Sequence, residues 1–600
     1  METVCGPASR LRVVRESEHA SSCRRRFGYP RPRVMRRCFA GICLLVGVFA
    51  APAHAQGTPL MPGVTYERTV QFTPHGAVVL HVLTAPRPGD QKGLYQLAPV
   101  LANGTVLGGR QRVTQIEKDL SAQATVAGIN GDFSDAQSSE PAGMFLQNGV
   151  LLHSPVGARS SIGVDGDGAL HVDRVKFFGT WRGTGQRRPL NALNEVPRAG
   201  QVVLFTPAFG ARTPAVPGAA EIVLQPFPAA LPDSDLTASV TAADVGGGAA
   251  IPPDGAVIMA DGATVAAALQ AEAPVGTPVT TRLVLQPAWT GMLSALGGGP
   301  ALVRGGKPIF RSAEDFTNDQ VSARDPRAGV GQLADGRVIL VAVDGGQPGY
   351  SAGLTSFELG QTLVRLGAVT ASAVESGGAV TVAFDGQLLN RPSDPAGERP
   401  VKEALLIQYF GVYAAPPPLP LLNGDPGKAA EPLSYKIVRP SKVTAALVGP
   451  NGVARPLDDG VQRDPGSYSF TYSTFDEEGT WHWKVNATDD LGRVSTIDRP
   501  FRYDTTLRGV TAPQTAVGTA AIRFTLSRAA SVRLRIETPG GAIVRTLNPT
   551  ALQPGARSVS WDGTLAQGRR AVGGAYVAHL FATSDVGTSE ITVPFGFRRA

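Results

Sequence analysis

The run DPRAGVGQLADGRVILVAVDGGQPGYSAGLTSFELGQTLVRLGA, residues 325–368, carries the plainest structural signals in the chain. Asp335-Gly336 tolerates the positive φ angles of a tight turn, and the apolar run behind it predicts a strand over 337–343. Thr355 and Glu358 then stand at capping-box spacing, with Leu354 and Leu359 flanking them as a hydrophobic staple. Leu359, Leu363 and Leu366 fall on one helical face, and Gly367 is a stop. A turn, a buried strand and a short amphipathic helix within forty-odd residues argue for a sheet partly covered by helices.

The pattern extends outward from there. Asn103-Gly104, Asn148-Gly149, Asp261-Gly262 and Asp385-Gly386 repeat the hairpin signal between apolar runs. Strands are predicted at 160–164 with 169–174 and at 379–384 with 387–390. A second capping box, Thr114 with Glu117, predicts a helix that carries Ile116 and Leu120 on its buried face. The expected class is α+β: a β-rich mixed domain over 56–412 with a few helices, followed by two small β-sandwiches. A proline-rich linker is expected at 413–430, where Pro416-Pro417-Pro418 favours extended backbone. The sandwiches are expected at 431–505 and 506–600, from short alternating strands such as Thr480–Val485 and Val532–Ile536.

Charge and cysteine usage set the first 55 residues apart. That segment holds ten arginines against three glutamates, a balance of +7 that equals the net charge of the whole chain. The remainder is neutral, which gives no electrostatic reason to expect nucleic-acid binding. All four cysteines, at 5, 23, 38 and 43, lie in the same segment, so disulfide and thiol chemistry are excluded beyond it. Residues 35–55 read as a secretory signal: Arg36-Arg37, an apolar stretch from Phe39 to Ala51, and the small-x-small site Ala53-His54-Ala55. Met35 is then a candidate initiator. A secreted or periplasmic protein is expected, cleaved near Ala55 and without a transmembrane segment, because no later run reaches 18 apolar residues. Association with the cell surface or envelope would fall to the tail sandwiches.

Several chemistries drop out on spacing. No histidine lies between 172 and 481 and no paired-histidine motif occurs, so no metal site is expected. Gly349-Tyr350-Ser351-Ala352-Gly353 matches a nucleophile elbow, but its serine stands about seven residues beyond the strand ending at Val343. The histidine that should follow is found only in the tail sandwiches. Asp165-Gly166-Asp167-Gly168 begins like a calcium loop, lacks the later ligands and reads better as a hairpin turn. No cofactor is expected, and calcium is left open without being predicted.

What remains is a set of arginines and carboxylates on glycine-rich loops: 127–133, 324–331, 343–347, 374–378 and 390–400. Through these loops the chain resembles the phosphodiester glycosidases related to the mannose-6-phosphate uncovering enzyme, N-acetylglucosamine-1-phosphodiester α-N-acetylglucosaminidase. NGDF at 130–133 with PAGMFLQNGVLL at 141–152 is similar to the family's NGxFF…P-x-G…NG segment, the 325–368 run to its central block, and NRPSD with GERPV (390–401) to its closing motif. Residues 561–582, WDGTLAQGRRAVGGAYVAHLFA, resemble the immunoglobulin-like module of flagellar hook-capping proteins. The tail sandwiches are accordingly expected to be immunoglobulin-like.

The resemblance implies hydrolysis of a sugar–phosphate diester at the anomeric carbon. A phosphate leaving group departs readily, so guanidinium groups that hold its oxygens matter more than a strong acid. A carboxylate must stabilise the oxocarbenium-like ring, activate water or attack. On that basis Asp132 is the first catalytic carboxylate and Glu375 the second, with Arg327 on the phosphate. Asn130, Gly131, Asp344, Gly377, Gly378, Arg391, Ser393, Asp394, Glu398 and Arg399 are expected to bind substrate. Where the family reads LDGGGS, this chain has Val374-Glu375-Ser376-Gly377-Gly378-Ala379. The expected function is an exported hydrolase acting on glycosyl-1-phosphodiester bonds in envelope or extracellular glycans. The alternatives are an inactive carbohydrate-binding or surface-assembly protein on the same scaffold, and an exopolysaccharide-processing glycosidase.

Overall fold

A computed structural model describes residues 57–134, 140–156, 158–310, 313–418, 421–423, 429–549 and 551–600. The expected signal segment lies outside the described residues. Among the described residues no helix is long and apolar enough to cross a membrane.

The quoted stretch folds into the centre of an eight-stranded sheet. Arg327–Leu333 and Val338–Val343 pair antiparallel around the Asp335-Gly336 turn, with Gly76–Ala85 on one side and Ala368–Ala373 on the other. Every residue of Val338–Val343 is buried because both faces of the sheet are covered. Ile339, Val341 and Val343 pack with Leu359 and Leu363 of the helix Ser356–Arg365. Val338, Leu340 and Ala342 face the opposite core, whose other walls are two five-stranded sheets. One of these contains Tyr95–Leu101, Thr125–Asn130, Val382–Phe384 and Glu403–Tyr409. The other contains Phe145–Gln147, Ser161–Asp165, Leu170–Asp173 and Met292–Gly297.

The helix Ser356–Arg365 starts as the sequence predicts. Thr355 Oγ1 accepts from Glu358 N and Glu358 Oε2 accepts from Thr355 N, and Gly367 follows with φ of 95°. Burial of Leu359 and Leu363 anchors it, each contributing roughly 1.5–3 kcal/mol.

The other predicted helix forms at Val113–Leu120 without its capping box. Thr114 donates its Oγ1–H to Glu398 Oε2 at 2.6 Å, its N–H goes to Glu398 Oε1 at 3.0 Å, and Glu117 is buried against Gly386 N. A distant glutamate therefore caps the helix, a contact invisible in local spacing. Likewise Asn148-Gly149, Asp335-Gly336 and Asp385-Gly386 close hairpins, whereas Asn103-Gly104 sits in a 3-10 turn and Asp261-Gly262 leads into the helix Ala263–Glu272. Positive φ is common to all of these sites, and only partner strands make a turn a hairpin.

A second eight-stranded sheet over 176–286, with the helix Ala263–Glu272 packed on it, builds another core that also takes in Met144, Leu146, Leu151, Met292 and Ala295. The chain ends in β-sandwiches. Part of the 413–430 segment is structural: Ala414 and Leu422 are buried in the first sandwich's core, and Leu421–Asn423 pairs in parallel with Val494–Asp504. Arg493 of that sandwich donates to Gly93 O at 2.9 Å, tying it to the first domain.

Candidate active site

Three sheets deliver their strand ends to one place. The strand Thr125–Asn130 runs into Gly131 and Asp132, beside Glu403 at the start of Glu403–Tyr409. The strand Ala368–Ala373 runs into Glu375, whose N–H donates to Gly131 O at 3.0 Å. Asn130 fastens this junction: its Nδ2 donates to Glu375 O at 2.8 Å and its Oδ1 accepts from Thr381 N at 3.2 Å. From the third sheet come Arg159, just ahead of Ser161–Asp165, and Gly297, the last residue of Met292–Gly297.

Asp132 is fully buried. Its Oδ1 is ion-paired with Arg159, and its Oδ2 has no hydrogen-bond partner. The second oxygen lies against the Cα atoms of Gly143 and Gly297, where any Cβ would collide with it. Behind it, Glu403 is also fully buried; its Oε1 accepts from Asp132 N at 3.1 Å and its Oε2 is unpartnered. Two buried carboxylates thus lie together, with the partly exposed Arg159 paired to Asp132 and the positive charges of Lys402 and Arg159 near Glu403. Burial drives both upward from the usual carboxylate range, Glu403 strongly so, and mutual repulsion adds to it for Glu403.

Glu375 occupies the accessible side of this cluster. It is only partly buried. Burial and then the Asp132 charge push it up to about 7, against the pull of Arg399, Arg110 and Arg159. Arg399 forms a two-pronged pair with Asp394 at 2.7 and 2.9 Å, resting over Gly378 where a side chain would collide. Gly377 adopts φ of 73° and donates to Pro326 O at 3.0 Å, holding the turn beneath. Arg159 stacks between Phe133 (4.9 Å to the ring centre) and Phe316 (5.3 Å).

Of the residues expected at the site, Asn130, Gly131, Asp132, Glu375, Gly377, Gly378, Asp394 and Arg399 are brought together. The other five, Arg327, Asp344, Arg391, Ser393 and Glu398, lie elsewhere. Arg327 is buried and donates to three backbone carbonyls: Leu354 at 2.9 Å, Gln320 at 2.6 Å and Ala323 at 2.8 Å. A guanidinium so occupied clamps the loop before its strand and does not offer its donors to a phosphate. Arg327→Ala is therefore expected to lower stability by roughly 1–3 kcal/mol, because the buried Leu354 carbonyl loses its donor and the loop loses its clamp. Chemical denaturation reads this directly.

Asp344 is saturated in a separate buried network. It accepts from Tyr350 Oη at 2.9 Å, Asn390 Nδ2 at 3.0 Å and Arg391 N at 3.3 Å, and pairs with His81 at 3.0 Å. It anchors the loop that leads on to Arg399. Arg391 stacks on Tyr350 at 4.8 Å, Ser393 lies beside Gly346, and Glu398 caps the helix Val113–Leu120. The nucleophile-elbow serine, Ser351, is buried and accepts from Val79 N at 3.0 Å.

Glu403, Arg159 and Arg110 were not singled out by the sequence. The available signal for Glu403 was a lone acid opening the apolar strand EALLIQY. Among the described residues no three His, Cys, Asp or Glu side chains converge as a metal site would require.

Residues 235–408 match the family model for phosphodiester glycosidase. That stretch of the chain is similar to the phosphodiester glycosidases. Residues 510–585 match the FlgD Ig-like domain. The SPbeta prophage-derived uncharacterized protein YomE of Bacillus subtilis (strain 168) is 30% identical over 119 residues, 20% of this chain and 18% of that protein. This chain therefore covers under a fifth of that relative's length. A hypothetical protein from Synechocystis has a similar structure (TM-score 0.49, 24% identity, 58% of this chain and 62% of the other). The zebrafish N-acetylglucosamine-1-phosphodiester α-N-acetylglucosaminidase catalytic domain, auto-inhibited by its pro-peptide, superposes more loosely (TM-score 0.32, 13% identity, 59% and 84%). The family match includes Glu375, Arg399 and Glu403; Asp132 and Arg159 lie N-terminal to it.

Proposed function

We propose that the glycosidase domain hydrolyses a glycosyl-1-phosphodiester in envelope or extracellular glycans, as part of an exported protein. The observation that carries this reading is the placement of a reachable carboxylate, Glu375, between a buried Asp132–Arg159 pair and the Arg399–Asp394 pair. Guanidinium groups suit phosphate oxygens, and Arg399, held by Asp394 through Nε and Nη2, and Arg159, paired with Asp132, place positive charge near the acid.

In this reading Glu375 acts at the anomeric carbon, as base for water or as nucleophile, while the phosphate departs without needing a proton. Asp132 and Glu403 stay behind it. The Asp132 charge helps hold Glu375 basic enough to act, while burial keeps Asp132 and Glu403 out of reach. The ionised form of Glu375 is the working one, so the rate rises as the pH passes through about 7. The test is sugar release, followed by mass spectrometry, from nucleotide sugars and small phosphodiester glycosides between pH 5 and 9. A rate that falls across neutrality would assign Glu375 to acid catalysis and overturn this assignment. Activity confined to phosphate-free glycosides would replace the substrate class.

A further inference from the structure

The first tail sandwich leaves one sheet edge open. Its smaller sheet pairs Glu431–Ile437 with Gly466–Tyr472, antiparallel and in unbroken register. The far edge of Glu431–Ile437 is taken by Tyr413, whose N–H donates to Lys436 O at 2.9 Å while Lys436 N donates to Tyr413 O at 2.7 Å. Lys436 thus points its backbone groups away from Ser467, the residue opposite it, and in an antiparallel ladder Ser467 points its own away in turn. Counting on by twos, Ser467, Ser469 and Thr471 turn N–H and C=O outward. All three are exposed, and among the described residues no strand pairs with that edge. Sheet edges are ordinarily blunted by charge, bulges or brevity. Of the other edge strands described in the two sandwiches, Leu421–Asn423 and Thr515–Val517 have three residues each. Ala454–Arg463, Leu507–Thr511, Ile543–Leu547 and Gly555–Trp561 all carry arginine. Gly466–Tyr472 runs seven residues, GSYSFTY, with no charge, proline or bulge. Its inward row, Tyr468, Phe470 and Tyr472, packs on the core but is only partly buried.

We infer that Gly466–Tyr472 is a dimerisation edge, pairing antiparallel with the same strand of a second copy of this chain about a twofold axis at Ser469. In that register the two Ser469 residues exchange N–H···O=C bonds with each other, and Ser467 of each copy exchanges them with Thr471 of the other. Every outward donor then meets an outward acceptor. Between these pairs, Tyr468 of one copy stands opposite Phe470 of the other at the closer spacing, roughly 4.5 Å between Cα atoms. The two half-covered aromatic rows become one, and aromatic cross-strand pairs of this kind stabilise a sheet. A foreign strand offers the same backbone, but the chain's own copy returns aromatics on one face and hydroxyls on the other in matching register. With no charge in the strand, nothing opposes self-pairing, and the contact closes on itself as a twofold interface does. One added strand is a small interface, so the dimer dissociates on dilution. The inference rests on the tail alone and is independent of the reaction proposed for the first domain.

The test is analytical ultracentrifugation of the full chain over roughly a hundredfold range of concentration, where a reversible monomer–dimer equilibrium is expected. Ser469→Pro removes the central donor from both copies and should weaken the dimer by about tenfold or more. Its melting temperature should stay within a few degrees, because that N–H makes no bond inside the sandwich and proline is tolerated at such an edge. Ser469→Lys and Ser469→Glu each set like charges face to face across the axis, and each alone should weaken the dimer by about three- to tenfold. Mixed together, the lysine and glutamate variants should pair with each other more tightly than either does with itself. That mixture decides the matter even if Ser469→Pro fails to fold. The inference is overturned if the chain stays monomeric throughout, if folded Ser469→Pro dimerises like wild type, or if the mixture pairs no better than its components.

Discussion

Glu375→Gln lowers kcat on a glycosyl-1-phosphodiester by on the order of a thousandfold, the usual scale for loss of a proton-transferring or attacking carboxylate. Its melting temperature stays within a few degrees of wild type. The two outcomes belong together. Because burial and Asp132 raise Glu375 to about 7, the folded state holds its proton more tightly than the unfolded chain does. Between the unfolded value, roughly 4.3, and about 7, rising pH therefore erodes stability through this residue. A neutral amide removes that penalty, so at pH 8 the variant is as stable as wild type or slightly more so. The comparison to make is kcat against thermal midpoint at pH 6 and pH 8. Retained turnover at pH 8 would remove Glu375 from the chemistry. A collapse in stability would show that it serves the fold instead.

Arg159→Ala has the opposite signature. It leaves the fully buried Asp132 without its ion-pair partner and removes a nearby positive charge from the fully buried Glu403. Removing one partner of a buried pair costs about 3–5 kcal/mol, chiefly because an uncompensated charge remains inside. Both carboxylates already titrate above their ordinary values, so the folded state is least tolerant of them when they are ionised. The deficit should accordingly be largest near pH 8 and shrink toward pH 5, where protonation relieves it. Denaturant titrations at the two pH values check this. Asp132→Asn in the same chain should restore part of the loss, since the pair and not the single residue sets the cost. A deficit that does not vary with pH would mean that Arg159 stabilises through its stacking on Phe133 and Phe316 rather than through charge.

These two residues were unequally visible. Glu375 could be read from the Val374–Ala379 stretch, because a glycine-rich loop after an apolar strand marks a place where backbone approaches a ligand. Arg159 could not, because nothing around it repeats or alternates; its role appears only once the strand Ser161–Asp165 is set beside Asp132. Glu403 was hidden in the same way, as an acid at the mouth of an apolar strand. Conversely, Arg327 sits in the most legible motif of the chain and proves to clamp backbone carbonyls. A motif shows that a position matters, and only its hydrogen bonds show whether it serves the loop or the ligand.

By itself the sequence determined the β-rich class, the helix Ser356–Arg365 with its capping box, the immunoglobulin-like tail and the phosphodiester glycosidase resemblance. All of these depend on short-range periodicity or on ordered motifs. Tertiary structure alone decided which charges meet: that Asp132 is buried beside Glu403 and paired with Arg159, that Glu375 is only partly buried, and that Asp344 and Glu398 are spent on a loop and a helix cap. The reason is range. Hydrophobic alternation is set by each strand's own neighbours, whereas ionisation and reach depend on side chains hundreds of residues apart, brought together where three sheets end.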